Sequence, residues 1–135
     1  MSSAVDLPLK SSGKVRDIYE MDGRLLMVAS DRISTYDVVH PTPIPGKGQV
    51  LTGISDFWFG RTGHIVPNHL VSVTEGVPEE VRGRAMIVER LEMLPVECVV
   101  RNVCAGSMAK RYGIAEGTKL HEPIFEFFLK SDALH

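Results

Sequence analysis

PVECVVRNVCAGSMAKRY, residues 95–112, is the stretch around which the other segments are read. Its first part has the apolar, β-branched composition of a strand. Ala105 and Gly106 make a small-residue turn, and Ser107 opens a helix that Gly113 stops. Glu97, Arg101, Ser107, Lys110 and Arg111 gather around that turn. A turn of small residues lets backbone N–H groups approach a ligand, and a helix beginning there directs its positive dipole end to the same place. Arg101 adds a planar fork suited to phosphate or carboxylate. From residue chemistry alone, an anion site and a strand–helix junction with solvated charges both account for this stretch.

The chain has 135 residues, enough for a domain with a true core. Hydrophobic residues make up 44% and charged residues 24%, an ordinary balance for a soluble globular protein. The net charge of −2 gives no global positive field for nucleic acid or membrane. No apolar run is long enough to span a bilayer, and MSSAVDLPLK lacks the apolar centre of a signal peptide. Cys98 and Cys104 form no CxxC pair and no His/Cys cluster. They read as reduced thiols of a cytoplasmic protein, with a disulfide between them as the alternative.

Taken in order, SSGKVRDIYE (residues 11–20) reads as a strand from the alternation of Val15, Asp17 and Tyr19 with Lys14, Arg16 and Ile18, and Asp22-Gly23 as a hairpin turn returning into RLLMVAS (24–30). Gly13 lets backbone pass close to a ligand, while Lys14 and Arg16 supply charge for phosphates. The Walker A pattern is absent, so an ordinary exposed strand start explains the same residues. DRISTYD (31–37) brings Asp31, Arg32, Ser34 and Asp37 together. It reads either as a site for an amine and a carboxylate or as a surface ion-pair cluster. HPTPIPGKG (40–48), with three prolines and two glycines, is expected to be irregular throughout, with Lys47 held on flexible backbone.

Val50 to Arg61 has helical spacing, and Val50, Leu51, Ile54, Phe57 and Trp58 are expected to form its core face. Short strands follow at 69–73 and 85–90, separated by a Pro-initiated turn or short helix at 76–83. Leu91 to Pro95 reads as a hinge, and IFEFFL (124–129) as an apolar strand interrupted by Glu126. The fold class is α+β, rich in antiparallel strands. HExxH, EF-hand and GxSxG patterns are absent, and the five histidines are scattered, so no metal ligand is assigned. The anion-friendly turns favour a phosphate-bearing ligand.

SGKVRDIYE, LLMVASDRISTYD, IPGKG, VERLEMLPVECVVRN, AGSMAKRYGI and EPIFEFFLKSDALH span nearly the whole chain. In this order they resemble the phosphoribosylaminoimidazole-succinocarboxamide synthase (SAICAR synthetase) family. The resemblance implies an ATP- and Mg2+-dependent ligase of purine biosynthesis, joining L-aspartate to carboxyaminoimidazole ribonucleotide through an acyl phosphate. It implies a small β-rich nucleotide-binding domain over residues 1–93 and the beginning of an ATP-grasp-like domain over 94–135.

Residue by residue, Gly13, Lys14 and Arg16 match the glycine-rich hairpin over the ATP phosphates. Val88 to Met93 match the linker that holds adenine, and Lys130 a lysine near the nucleotide. Arg101 and Ser107 match contacts to the ribonucleotide or its succinyl product, with Lys14 and Arg101 as the catalytic pair. Asp37 and Lys47 fall in segments tied to substrate binding. Family members continue beyond KSDALH, where the magnesium carboxylates are expected. The chain therefore reads as an N-terminal portion, inactive by itself, and the alternative is a non-catalytic nucleotide-binding or interaction module. A homo-oligomer is left open; nucleic acid and membrane partners are not expected.

Overall fold

The structure is a computed structural model that describes residues 5–35 and 38–130. It divides into two compact units, Met1–Leu91 and Glu92–His135.

The first unit is built on a five-stranded antiparallel sheet. In chain order its strands are β1 (Leu9–Ser12), β2 (Arg16–Met21), β3 (Arg24–Ala29), β6 (Leu70–Ser72) and β7 (Ala85–Val88). Their spatial order is β1-β2-β3-β7-β6. β4 (Ser34–Thr35) and β5 (Val38–Val39) form a separate two-stranded ladder. The β2–β3 turn is the expected Asp-Gly hairpin: Asp22 and Gly23 both have positive φ, 46° and 81°. That combination suits the right-handed twist of the flanking strands. Strand alternation places Tyr19, Leu26, Val28, Ala85 and Ile87 in the core, with Val5, Val77 and Val81 packed among them. Val81 closes a single 3₁₀ turn, Glu79–Val81.

Helix α1 spans Lys47–Thr62 and packs on β3 and β7. Two expectations fail here. Residues 40–48 are not irregular throughout, because Lys47 and Gly48 belong to the helix. The apolar spacing also does not mark a core face: Val50, Ile54, Phe57 and Trp58 are exposed, and the residues that are buried are Gly48 and Thr52. The reason is close approach. A Cβ on Gly48 would lie 2.7 Å from the Ala29 carbonyl oxygen, so the helix approaches the sheet most closely where it carries no side chain. On the outer side Phe57 and Trp58 stack edge to face, with the Arg61 guanidinium 5.1 Å from the Phe57 ring centre.

The second unit is a two-stranded antiparallel ribbon, β8 (Val96–Val103) with β9 (Lys119–Leu129), and a short helix α2 (Ser107–Tyr112). Gly113, with φ 64°, ends α2 in the left-handed conformation expected of a helix stop. The register pairs Glu97, Val99 and Arg101 with Phe128, Glu126 and Ile124. Successive residues alternate faces, so these six share one face. Arg111 of α2 reaches both Glu126 and Phe128, which sets the helix over that face. Val96, Cys98 and Val100, paired with Leu129, Phe127 and Phe125, form the opposite face, and Phe127 is 72% exposed. Cys104 and Met108 are fully buried within the unit.

Candidate functional sites

Gly13, Lys14 and Val15 form the tip between β1 and β2, closed by a 2.7 Å hydrogen bond from the Gly13 N–H to the Arg16 carbonyl. Lys14 and Arg16 are exposed there. The base of the hairpin is tied down from a distant segment. Arg32 donates through Nη2 to Asp17 Oδ1 at 2.9 Å and to the Gly13 carbonyl at 3.2 Å. Its Nε donates to Ser30 Oγ at 3.1 Å. Ser30 in turn donates from its backbone N–H and its hydroxyl to the Val15 carbonyl, each at 2.9 Å. Ser12 Oγ donates to Asp17 Oδ1 at 2.6 Å. The tip thus presents cations on a backbone held by side chains outside the hairpin.

Asp31 and Arg32 do not form the mutual ion-pair cluster considered from sequence; they face different partners. Asp31 accepts from the backbone N–H groups of Gly48 and Gly46 at 2.8 and 3.1 Å, capping α1 from outside the helix. Those two bonds hold its carboxyl below the usual carboxylate value against the opposing effect of burial, with smaller help from Arg84 and Lys47. Lys47 is the first residue of α1 and half-buried. Asp37 lies outside the described residues. Of the residues matched to the adenine linker, Val88 is 1% exposed within the sheet, whereas Met93 is 82% exposed. The exposed Lys130 donates its backbone N–H to the Pro95 carbonyl at 2.8 Å, continuing the ribbon past Leu129.

In the second unit, Arg101 and Glu126 sit on neighbouring strands, and Arg101 Nε donates to Glu126 Oε2 at 2.7 Å. Arg101 Nη1 donates to the Ala105 carbonyl at 3.3 Å. The other carboxylate oxygen of Glu126 accepts from Arg111 Nη2, and Arg111 Nη1 donates to Ser107 Oγ at 3.4 Å. The Arg111 guanidinium lies 4.9 Å from the Phe128 ring centre. The Glu126 side chain is only 9% exposed. The hydrogen bond from Arg101 depresses its pKa most, with the Arg111 charge and hydrogen bond adding to it and burial opposing.

Arg101, Ser107 and Arg111 therefore do come together, as the sequence suggests, while Glu97 and Lys110 are exposed and join no ion pair among the described residues. The helix-dipole expectation does not hold. α2 has six residues, too few for a substantial dipole, and the Gly106 N–H is taken by Glu116 Oε1 at 3.3 Å. Glu126 joins this cluster without having been assigned to it from the sequence. Its signal was present, a carboxylate inside an apolar run, but only the strand register shows which arginines it meets. Arg32 stood out in DRISTYD, but nothing local shows that it pairs with Asp17 at the base of the hairpin.

Among the described residues no group of three or more His, Cys, Asp or Glu is placed to hold a metal ion. No described helix is long and apolar enough to cross a membrane. Both cysteines are free thiols, Cys98 exposed and Cys104 buried.

A glycine hairpin carrying cations and an arginine fork buttressed by carboxylate define a mixed α and antiparallel β protein suited to anionic small molecules. The sequence matches the SAICAR synthetase family over residues 9–135, and the chain belongs to that family. It is 45% identical over 151 residues to the phosphoribosylaminoimidazole-succinocarboxamide synthase of Aromatoleum aromaticum, covering 97% of this chain and 49% of that one. To the enzyme of the same name from Methylibium petroleiphilum it is 49% identical over 139 residues, covering 88% and 46%. The chain thus spans about half the length of the curated relatives it matches.

Solved structures agree. The Saccharomyces cerevisiae SAICAR-synthase complexed with SAICAR aligns with a TM-score of 0.85 at 35% identity, covering 98% of this chain and 55% of that one. A type-2 SAICAR synthetase in complex with ADP aligns at 0.79 and 33%, covering 93% and 52%.

Proposed function

We propose that this chain is the nucleotide- and ribonucleotide-binding portion of an ATP-dependent ligase that joins L-aspartate to carboxyaminoimidazole ribonucleotide. Family membership over residues 9–135 carries the reading. It favours a ligase over a non-catalytic binding module. The sheet unit is the nucleotide-binding domain, and the ribbon unit begins an ATP-grasp-like domain. The setting is the cytoplasm.

A carboxylate is a poor electrophile, because attack on it must expel oxide. Phosphoryl transfer from ATP to the ribonucleotide carboxylate releases ADP and leaves an acyl phosphate. The aspartate amine then bonds to the activated carbonyl carbon, phosphate departs, and the amine loses its proton. The protein's part in such a transfer is positioning and charge neutralisation. Lys14 and Arg16 supply cations for the ATP phosphates around the Gly13 turn, while the linker from Val88 to Met93 serves the adenine and Lys130 the nucleotide. Arg101 and Ser107 hold the ribonucleotide, and Lys14 and Arg101 are the catalytic cations. Asp37 and Lys47 belong to substrate binding. Magnesium would supply further phosphate neutralisation; no step is assigned to it.

The test is incubation of the protein carrying this chain with ATP, magnesium, L-aspartate and carboxyaminoimidazole ribonucleotide. ADP and succinocarboxamide product should appear in equal amounts. Absence of aspartate-dependent product would overturn the reading.

A further inference from the structure

Glu126 is a carboxylate in the apolar strand β9, nearly covered, with each oxygen engaged by a different arginine. An ionised pair placed this way needs excellent geometry to offset the desolvation of its charges. Here the geometry fixes more than the pair. Arg101 is held at Nε by Glu126 and at Nη1 by the Ala105 carbonyl. Among the described residues its Nη2 has no protein partner. Arg111 is held by Glu126 at Nη2 and by the faces of Phe128 and Tyr112, with Nη1 on the Ser107 hydroxyl. One carboxylate therefore sets the orientation of one arginine directly and reaches a serine through the other.

We infer that Glu126 is a positioning residue: it fixes the Arg101 guanidinium with Nη2 presented to an anionic group of the ribonucleotide, and through Arg111 it fixes the Ser107 hydroxyl for the same ligand. The inference rests on the reading that Arg101 and Ser107 bind the ribonucleotide, and adds the device that orients them. A guanidinium held on two nitrogens loses less freedom on binding than a free one, so the gain is in ligand affinity. Electrostatics support the arrangement, since the two arginines keep Glu126 ionised despite its burial.

The experiment compares Glu126→Gln, Arg101→Ala and the double variant in the full-length protein carrying this chain, with KM determined separately for the ribonucleotide, ATP and aspartate. Glu126→Gln should raise the ribonucleotide KM about tenfold or more, as expected for loss of charge-assisted hydrogen bonds. The ATP and aspartate KM should stay within about twofold, with Glu126→Asp restoring part of the loss. The double variant should lose less than the two single losses combined, because the part of the Glu126 effect that runs through Arg101 is already gone in Arg101→Ala, while the part that runs through Arg111 remains. An unchanged ribonucleotide KM in Glu126→Gln beside an impaired Arg101→Ala overturns the positioning role alone. Fully additive losses also overturn it. An unchanged Arg101→Ala overturns the reading beneath it. Should Glu126→Gln fail to fold, Arg111→Lys, which keeps the charge and loses the fork, reads the same link, and a wild-type ribonucleotide KM there overturns the proposal.

Discussion

The carboxylate of Asp31 holds the first turn of α1 through Gly48: Oδ1 accepts the Gly48 N–H at 2.8 Å, and Oδ2 takes Gly46 as well. The first N–H groups of a helix have no partner within it, and the Gly46 that precedes α1 offers no side-chain acceptor. Asp31 supplies one from the segment after β3. Its folded pKa lies below the ordinary 3.8, so protonation is favoured in the unfolded chain. The stability it contributes is present above pH 3.8 and is lost as pH falls through the lower folded value. Thermal midpoints from pH 7 to 2 should fall more steeply below pH 3.8 in the wild type than in Asp31→Asn. Parallel curves would remove the cap from the acid response.

Gly48→Ala tests the close approach of α1 to the sheet. Its Cβ would meet the Ala29 carbonyl oxygen at 2.7 Å and the Ala29 carbonyl carbon at 3.2 Å, both backbone atoms that cannot rotate away. Overpacking of this kind costs about 1–3 kcal/mol, and the better helix propensity of alanine offsets only part of it. Urea denaturation should show a lowered midpoint with unchanged slope. A stabilised variant would mean that the helix shifts outward freely.

The glycine hairpin should be sensitive to Arg32. Arg32→Ala removes the contacts to Asp17, Gly13 and Ser30 that tie its base. Partly exposed ion pairs are worth only about 0.2–1 kcal/mol, so global stability should change little. ATP binding should weaken several-fold, read by isothermal calorimetry. Arg82→Ala, which breaks the exposed Arg82–Glu79 pair, should leave it unchanged. Equal effects of the two would argue against a role for Arg32 in shaping the hairpin.

The apolar face of the ribbon predicts the behaviour of the 135-residue polypeptide in isolation. Phe125, Phe127 and Leu129 are 68%, 72% and 73% exposed on one face. A contiguous apolar patch of this kind drives self-association. Light scattering should show association that rises with concentration and is reduced in Phe125→Thr/Phe127→Thr. A monomer at high concentration would count against it.

The two thiols should differ in reactivity. Cys98 is exposed, while Cys104 is fully buried with Sγ 3.6 Å from the Ile114 carbonyl. A disulfide reagent should modify Cys98 in the native protein and Cys104 only after unfolding, as peptide mapping would show. Equal labelling rates would show that the second unit opens readily.

Much of this protein was legible in its sequence because the signals are local. Asp22-Gly23 specifies its turn through two positive φ angles, Gly113 stops α2 through one, and the continuous apolar run that follows Arg24 marks a buried strand. The family motifs are contiguous as well, and they identified the ligase family before any coordinate. Tertiary structure alone decided three matters. It turned the apolar residues of α1 outward, because the helix meets the sheet along the side that carries Gly48 and Thr52, with Gly48 against the Ala29 carbonyl. It sent Asp31 to a helix terminus and Arg32 to a hairpin, although the two are adjacent in sequence. And it joined Arg101 to Glu126, 25 residues apart, by the β8–β9 register. Periodicity and turn chemistry report on neighbours within a few residues. Which charge meets which across a sheet depends on register and packing, which the whole fold settles.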